Sequence, residues 1–290
     1  MTDRQIQTAI FVTAVLGGVL WLSGCATGGG NDSTDVDSVA FDQQYFSPAI
    51  NWGRIDKITH AVSIGLNSID ASVYGTAGKL PDCELDAEAL AAKWRTAGYP
   101  TAVLLTKEAT RPRIKGALIT ALQGLSDGDR LIVSISSHGG QRPDTSGDES
   151  DGYDEYLLAY DGPITDDTIH GWLDTVTNNV EIVFIVDACH SGTMNRAAPT
   201  VRLGRRAIPR GFLGQLIMLA GCTESGTSES TGRGGAWTLS LCSTMRAGRP
   251  IEDWYWLASQ LTAADGAQQP VYAEYGDVTD GFRKSSIIDK

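Results

Sequence analysis

From Ile50 onward the chain alternates short β-rich apolar runs with segments whose apolar residues recur at helical spacing. That alternation predicts an α/β fold, a mostly parallel central sheet with helices on both faces. ITHAVSIGLN (58–67), TAVLLT (101–106), DRLIVSISS (129–137), EIVFIVDA (181–188), QLIMLAG (215–221) and PVYAEYG (270–276) read as strands. DAEALAAKWRTAG (86–98) reads as a helix stopped by Gly98, and TRPRIKGALITALQGL (110–125) as one capped by Thr110 with Pro112 in its first turn. WTLSLCSTMRAG (237–248) suggests a further helix despite its β-branched residues. No internal repeat is visible.

The third and fourth strands are continuously apolar, as expected of central strands covered on both faces. Their carboxyl ends change character abruptly. LIVSISS runs into His138-Gly139-Gly140, and IVFIV into Asp187-Ala188-Cys189-His190-Ser191-Gly192. Ligands bind outside the carboxyl ends of parallel strands, so this topology brings a histidine and a cysteine to one sheet edge. A cysteine nucleophile and its base need that arrangement, and the adjacent glycines let backbone N–H groups approach a ligand. Two loop residues at a sheet rim are the plainer alternative.

The formal charge of −12 argues against a surface that tracks phosphates, so no nucleic acid is expected, and a cationic substrate suits the field better than an anionic one. Residues 1–30 read as targeting rather than fold: an uncharged apolar stretch from Ala9 to Leu22 suits the h-region of an export signal. It ends in Leu22-Ser23-Gly24-Cys25, which resembles the bacterial lipoprotein box with Cys25 as the acylated residue. An uncleaved single-span anchor is the other reading, because Asp3 offsets Arg4. Either places the chain at a membrane, facing the periplasm or exterior, and the lipobox reading makes it a lipoprotein of the bacterial cell envelope. The expected division is therefore signal and lipobox 1–25, flexible tether 26–54 and folded domain 55–290. The five cysteines, Cys25, Cys83, Cys189, Cys222 and Cys242, show no CxxC pair, so a zinc site is not expected. Two disulfides among the last four, or buried small hydrophobes at Cys222 and Cys242, are both open.

SSHGGQ around His138, DGYDE (151–155), ITDD (164–167) and DACHSG (187–192) together resemble the caspase-like cysteine peptidases, and among them the metacaspases and their bacterial relatives. SIGLN, CELDA (83–87), LAGCT and GGAWTLSL (234–241) echo the family more weakly, so the resemblance spans roughly residues 55–275. It implies a caspase-like α/β fold with Cys189 as nucleophile, His138 as its acid/base partner, and the N–H groups of Cys189 and Gly139 at the oxyanion. His60, His170 and His190 are expected to have no catalytic part.

Asp187 stands two residues before Cys189 and so on the same side of the strand. A carboxylate there suits a cationic substrate side chain. The resemblance implies an acidic pocket for Arg or Lys, with Asp86, Cys83 and Ser136 at its other positions; Asp86 equally suits a helix cap. The resemblance also points to calcium, with Asp154, Asp166 and Asp167 at three ligand positions, but Arg196 stands where the fourth acid is expected. A solvated acidic loop over 144–167 is the competing reading. Arg196, Arg202, Arg205, Arg206 and Arg210 crowd a segment free of acids, which suggests self-cleavage in the 193–211 loop or docking of that loop on an acidic surface. The function expected is an endopeptidase acting on protein or peptide substrates after basic residues, requiring no cofactor; an idle membrane-anchored interaction module of the same fold is the alternative.

Overall fold

The computed structural model describes residues 57–143, 153–188, 212–222, 229–263 and 268–288. The proposed lipidation site Cys25, the tether, His190 and the arginine-rich 193–211 loop lie outside these, as does Cys189 itself. Along the chain run β1 (Thr59–Gly65), α1 (Ala71–Tyr74), α2 (Cys83–Thr96), β2 (Thr101–Leu105), α3 (Arg111–Gln123), β3 (Arg130–Ser136), β4 (Gly139–Pro143) and β5 (Tyr153–Ala159). There follow β6 (Gly162–Thr165), α4 (Asp166–Leu173), β7 (Glu181–Asp187), β8 (Gln215–Ala220), α5 (Ala236–Thr244), α6 (Ile251–Ala263), β9 (Val271–Tyr275) and α7 (Asp280–Arg283).

Six strands form one sheet in the order β2-β1-β3-β7-β8-β9, parallel except where β9 pairs antiparallel with β8. The two runs with unbroken apolar character, β3 and β7, are indeed neighbours at its centre. Alternation divides each strand between two cores. Val62, Ile64, Val133, Ile135, Ile182 and Val186 face one core with Ile114 and Ala117 of α3 and Leu173 of α4. Ala61, Ile132, Val183 and Ile185 face the other, with Trp94 of α2, Trp237 of α5 and Trp254 of α6. The expected α/β architecture with helices on both faces is what the protein adopts.

Local chemistry explains several boundaries. Thr110 caps α3 by accepting from the Arg113 N–H, with Pro112 in the first turn. Gly98 follows α2 with φ 86°, a left-handed conformation that favours glycine. The first helix starts three residues earlier than its apolar periodicity suggests, at Cys83 rather than Asp86. A three-stranded antiparallel sheet, β4-β5-β6, accounts for residues 153–165 of the stretch 144–167 read as a solvated acidic loop. Its β5–β6 hairpin turns on Tyr160-Asp161, between the Ala159 and Gly162 partners.

The two edges of the large sheet differ in kind. At its amino edge Arg130 and Glu181 are register partners bonded Nη2–Oε2 at 2.5 Å, and Arg130 also reaches Ser285 Oγ and the Ser286 carbonyl. This guanidinium fastens the C-terminal tail. At the carboxyl edge Gly65, Ser136 and Asp187 form one row across β1, β3 and β7. Gly65 lies directly under the start of α2, where an added Cβ would run into the Cys83 carbonyl and Ala87. Gly65→Ala is therefore expected to cost about 1–3 kcal/mol of stability through overpacking. Urea denaturation of the variant against wild type checks this.

Candidate active site

The row Gly65–Ser136–Asp187 sets the geometry of the site. Ser136 ends β3 and Asp187 ends β7, paired in register at the carboxyl edge. His138 follows Ser136 by two residues, and Cys189, two residues beyond Asp187 in sequence, lies outside the described residues. Two bonds hold the approach to position 189: Cys222 donates its thiol proton to the Ala188 carbonyl at 3.0 Å, and Gly221 N–H donates to the Val186 carbonyl at 2.8 Å.

His138 Nε2 lies 2.9 Å from the carbonyl oxygen of Gly78, in the loop between α1 and α2. A carbonyl only accepts, so this bond requires the proton on Nε2 and leaves Nδ1 as the basic nitrogen. Gly78 has φ 43°, and a Cβ there would crowd Ile69 and the imidazole. The next residue, Gly139, opens β4. Leu158 N–H donates to the His138 carbonyl, so alternation along the antiparallel ladder aims the Gly139 N–H away from β5.

Beside this edge lies a small cavity of about 50 Å³ lined by Leu80, Asp82, Cys83, Asp86, Ser136, Asp187, Glu229, Ser230 and Gly235, among others. It gathers Asp86, Asp187, Cys83 and Ser136, the four residues singled out for the substrate pocket. Asp86 and Asp187 are 2% and 4% exposed. No cation accompanies them among the lining residues. Among the described residues, neutral donors bond to both. Asp86 accepts from Ser136 Oγ at 2.7 Å and from the Gly235 N–H at 2.7 Å, while Asp187 accepts the Thr238 N–H at 3.0 Å and hydroxyl at 2.8 Å. Asp86 lies in the first turn of α2, but Asp82 holds the cap position, so the helix-cap alternative is corrected: the Asp86 carboxylate lines the cavity and bonds Ser136 and Gly235 instead. A Cβ on Gly235 would collide with the Asp187 carboxylate and press on that of Asp86, so only a bare backbone fits between them.

Burial, reinforced by the Asp187 charge, pushes the Asp86 carboxyl up to about 7. Burial also pushes the Cys83 thiol up to about 12, so it stays protonated and is no nucleophile. Cys83, Cys222 and Cys242 are all free thiols, so the described cysteines form no disulfide. Cys222 is buried as expected, whereas Cys242 is only half-buried. His60 is buried with Nδ1 2.8 Å from the Ala121 carbonyl, and His170 meets the Tyr275 ring edge-on; both lie in the core layers.

The acidic stretch is not a solvated loop where it is described. Asp154, Glu155 and Asp166 are buried, and cross-strand partners hold two of them: Arg142 Nε donates to Asp154 at 3.1 Å and Gln141 Nε2 to Glu155 at 2.9 Å. Asp166 starts α4 and accepts the Asp167 N–H, while Asp167 is exposed. Among the described residues no group of three or more His, Cys, Asp or Glu side chains is arranged to hold a metal ion. A larger hollow of about 70 Å³ between α3 and α4 is lined by apolar side chains such as Ile114, Leu122, Trp172 and Phe184, with no group to do chemistry.

Three functional residues escaped the sequence reading. Gly78 and Gly235 act through backbone atoms, and Thr238 looked like one more β-branched residue in a helix.

An α/β sheet with an acidic pocket and a histidine at its carboxyl edge is the class of domain defined here. The chain matches the Caspase domain family over residues 59–274, well over half its length, and belongs to that family. Metacaspase-1 of Arabidopsis thaliana is 35% identical over 156 residues, 44% of this chain and 42% of that protein. Metacaspase-1A of Neurospora crassa is 42% identical over 107 residues, 32% of this chain and 23% of that protein. This chain thus spans under half the length of the curated relatives it matches. A Geobacter sulfurreducens protein of known crystal structure superposes with a TM-score of 0.65 at 28% identity, covering 80% of this chain and 98% of that one. Caspase-1 from Spodoptera frugiperda, at TM-score 0.52, 17% identity and coverage of 75% and 86%, shares the fold.

The pair of buried carboxylates has a linked consequence for stability. The folded state holds a proton on Asp86 more tightly than the unfolded chain, so this group favours folding most at low pH. That contribution is lost as pH rises from the ordinary carboxylate range through about 7. Urea denaturation between pH 4 and 8 is expected to show wild type losing stability relative to Asp86→Asn across that window.

Proposed function

We propose that this protein is a cysteine endopeptidase that cleaves after Arg or Lys, with Cys189 as nucleophile and His138 as acid/base. The observation that carries the reading is the pair Asp86 and Asp187, both buried and lining one small cavity beside the strand ends, where burial and the Asp187 charge push the Asp86 carboxyl up to about 7. Two carboxylates so placed favour a positively charged side chain over a neutral or acidic one. A guanidinium or ammonium entering the pocket draws the Asp86 proton off.

The chemistry follows from the ring nitrogen left free by Gly78. Nδ1 of His138 takes the Sγ proton of Cys189, and the thiolate attacks the carbonyl carbon of the basic residue. The resulting oxyanion sits against the N–H groups of Gly139 and Cys189. As the intermediate collapses, the C–N bond breaks and the imidazolium gives its proton to the departing amine. Water then attacks the thioester with His138 again as base, releasing the carboxylic acid and restoring the thiol.

Placement at a membrane rests on the apolar stretch 9–22 and Cys25. No helix among the described residues is long and apolar enough to cross a membrane. Incorporation of a labelled fatty acid in cells, lost in Cys25→Ala, is the expected mark of lipidation. Self-cleavage at the arginines of 193–211 follows from the same specificity and would leave two fragments in wild type and none in Cys189→Ala.

The test is the detergent-purified full chain, kept reduced, with fluorogenic peptides ending in Arg, Lys, norleucine or Asp. Arg and Lys peptides are expected to be cleaved at least on the order of 10³-fold better than norleucine, because norleucine brings no positive charge or hydrogen-bond donor to the two acids. Cys189→Ala abolishes turnover. For Arg peptides kcat/KM rises with pH through about 7 as Asp86 ionises, and Asp86→Asn moves that limb to lower pH. Preferential cleavage of Asp peptides would overturn the specificity, and no turnover of any peptide would favour an idle interaction module.

A further inference from the structure

Asp82 stands where α2 begins, at the position where an aspartate ordinarily caps its own helix, yet its side chain makes no cap bond. It turns instead to a loop about 150 residues away in sequence. Its Oδ2 accepts from Ser230 Oγ at 2.5 Å and from the Gly232 N–H at 2.7 Å, and the residue is 5% exposed. These bonds, chiefly the Ser230 hydroxyl, hold the Asp82 carboxyl below the usual carboxylate range, so it stays charged near neutrality.

The loop it grips is closed on itself. Ser230 and Gly235 form an isolated bridge, Thr231 bonds the Gly234 carbonyl through both N–H and hydroxyl, and Ala236 N–H donates to the Glu229 carbonyl. Gly232 and Gly234, with φ 76° and 141°, permit the tight path. Its last residue is Gly235, whose N–H donates to Asp86. Asp82 and Asp86 are one helical turn apart, joined by the Asp86 N–H to Asp82 carbonyl bond at 3.0 Å. Two carboxylates on one helix end thus pin one loop at two points, Asp82 at the loop's outer turn and Asp86 at the inner one.

We propose that Asp82 is a positioning residue for substrate selection: its clasp on Ser230 and Gly232 holds the Gly235 N–H against Asp86, and so fixes the carboxylate that receives the basic side chain. The residue does not touch the reacting atoms, so its effect falls on recognition and not on the chemical step. The inference rests on the reading of the pocket as a site for Arg or Lys.

In the full chain, Asp82→Ala is expected to raise KM for an Arg-ended peptide on the order of ten-fold with kcat within about two-fold. Asp82→Asn keeps an oxygen that accepts both bonds and is expected to restore KM to within about three-fold of wild type. Ser230→Ala removes one of the two donors and should move KM in the same direction by a smaller factor; it carries the test if Asp82→Ala does not fold. Hydrogen exchange in the Cys189→Ala background supplies a readout independent of activity: Asp82→Ala should speed exchange of the Gly232 and Gly235 amides. KM unchanged in both Asp82→Ala and Ser230→Ala, a fall in kcat alone, or unaltered exchange at Gly235 would overturn the proposal. Wild type inactive on basic peptides but with exchange that depends on Asp82 would instead sink the peptidase reading and leave the clasp standing.

Discussion

Two ionisable carboxyls, Asp86 and Asp187, buried at one small cavity are the constraint from which the rest of this site follows. Such a pair is costly in a low-dielectric setting, and hydrogen bonds offset only part of the cost. Every neighbour is accordingly committed to it: the Ser136 hydroxyl, the Gly235 amide, and both polar groups of Thr238. Those donors come from β3, the 229–235 loop and α5, so the carboxylates tie together elements that would otherwise meet only through apolar contact.

The sheet presents this arrangement because of its polarity. Parallel strands align their carboxyl ends, and in-register pairing of β3 with β7 sets Ser136 beside Asp187. The opposite edge closes its charges internally, with Arg130 satisfied by Glu181 and the C-terminal tail. One edge pairs its charges internally, and the other gathers two buried acids.

What could be seen in the sequence followed from strong, local signals. The unbroken apolar runs of 131–133 and 182–186 identified the central strands, and the residues that follow them identified His138 and the approach to Cys189. Asp86 and Asp187 were legible as a pair only through the family resemblance, since about a hundred residues separate them. The outer sheet was missed because its strands carry acids, Asp154 and Glu155, that read as solvated until Arg142 and Gln141 are found across the ladder. The Asp161-Gly162 dipeptide was the available hairpin signal. Gly78, Gly235 and Asp82 act through contacts with distant backbone, and no periodicity within a short window reports those.

The pocket is assembled from both ends of the domain. Asp82 and Asp86 lie near its beginning, whereas Ser230, Gly235 and Thr238 lie in its final quarter, 148 to 150 positions away for the bonds to Asp82 and 149 for the bond to Asp86. During synthesis the histidine and the cysteine leave the ribosome well before the groups that complete the acidic cavity. In the function proposed above, a half-made chain would carry the dyad without the pocket that selects its substrate. Selectivity would then be a property of the finished fold alone.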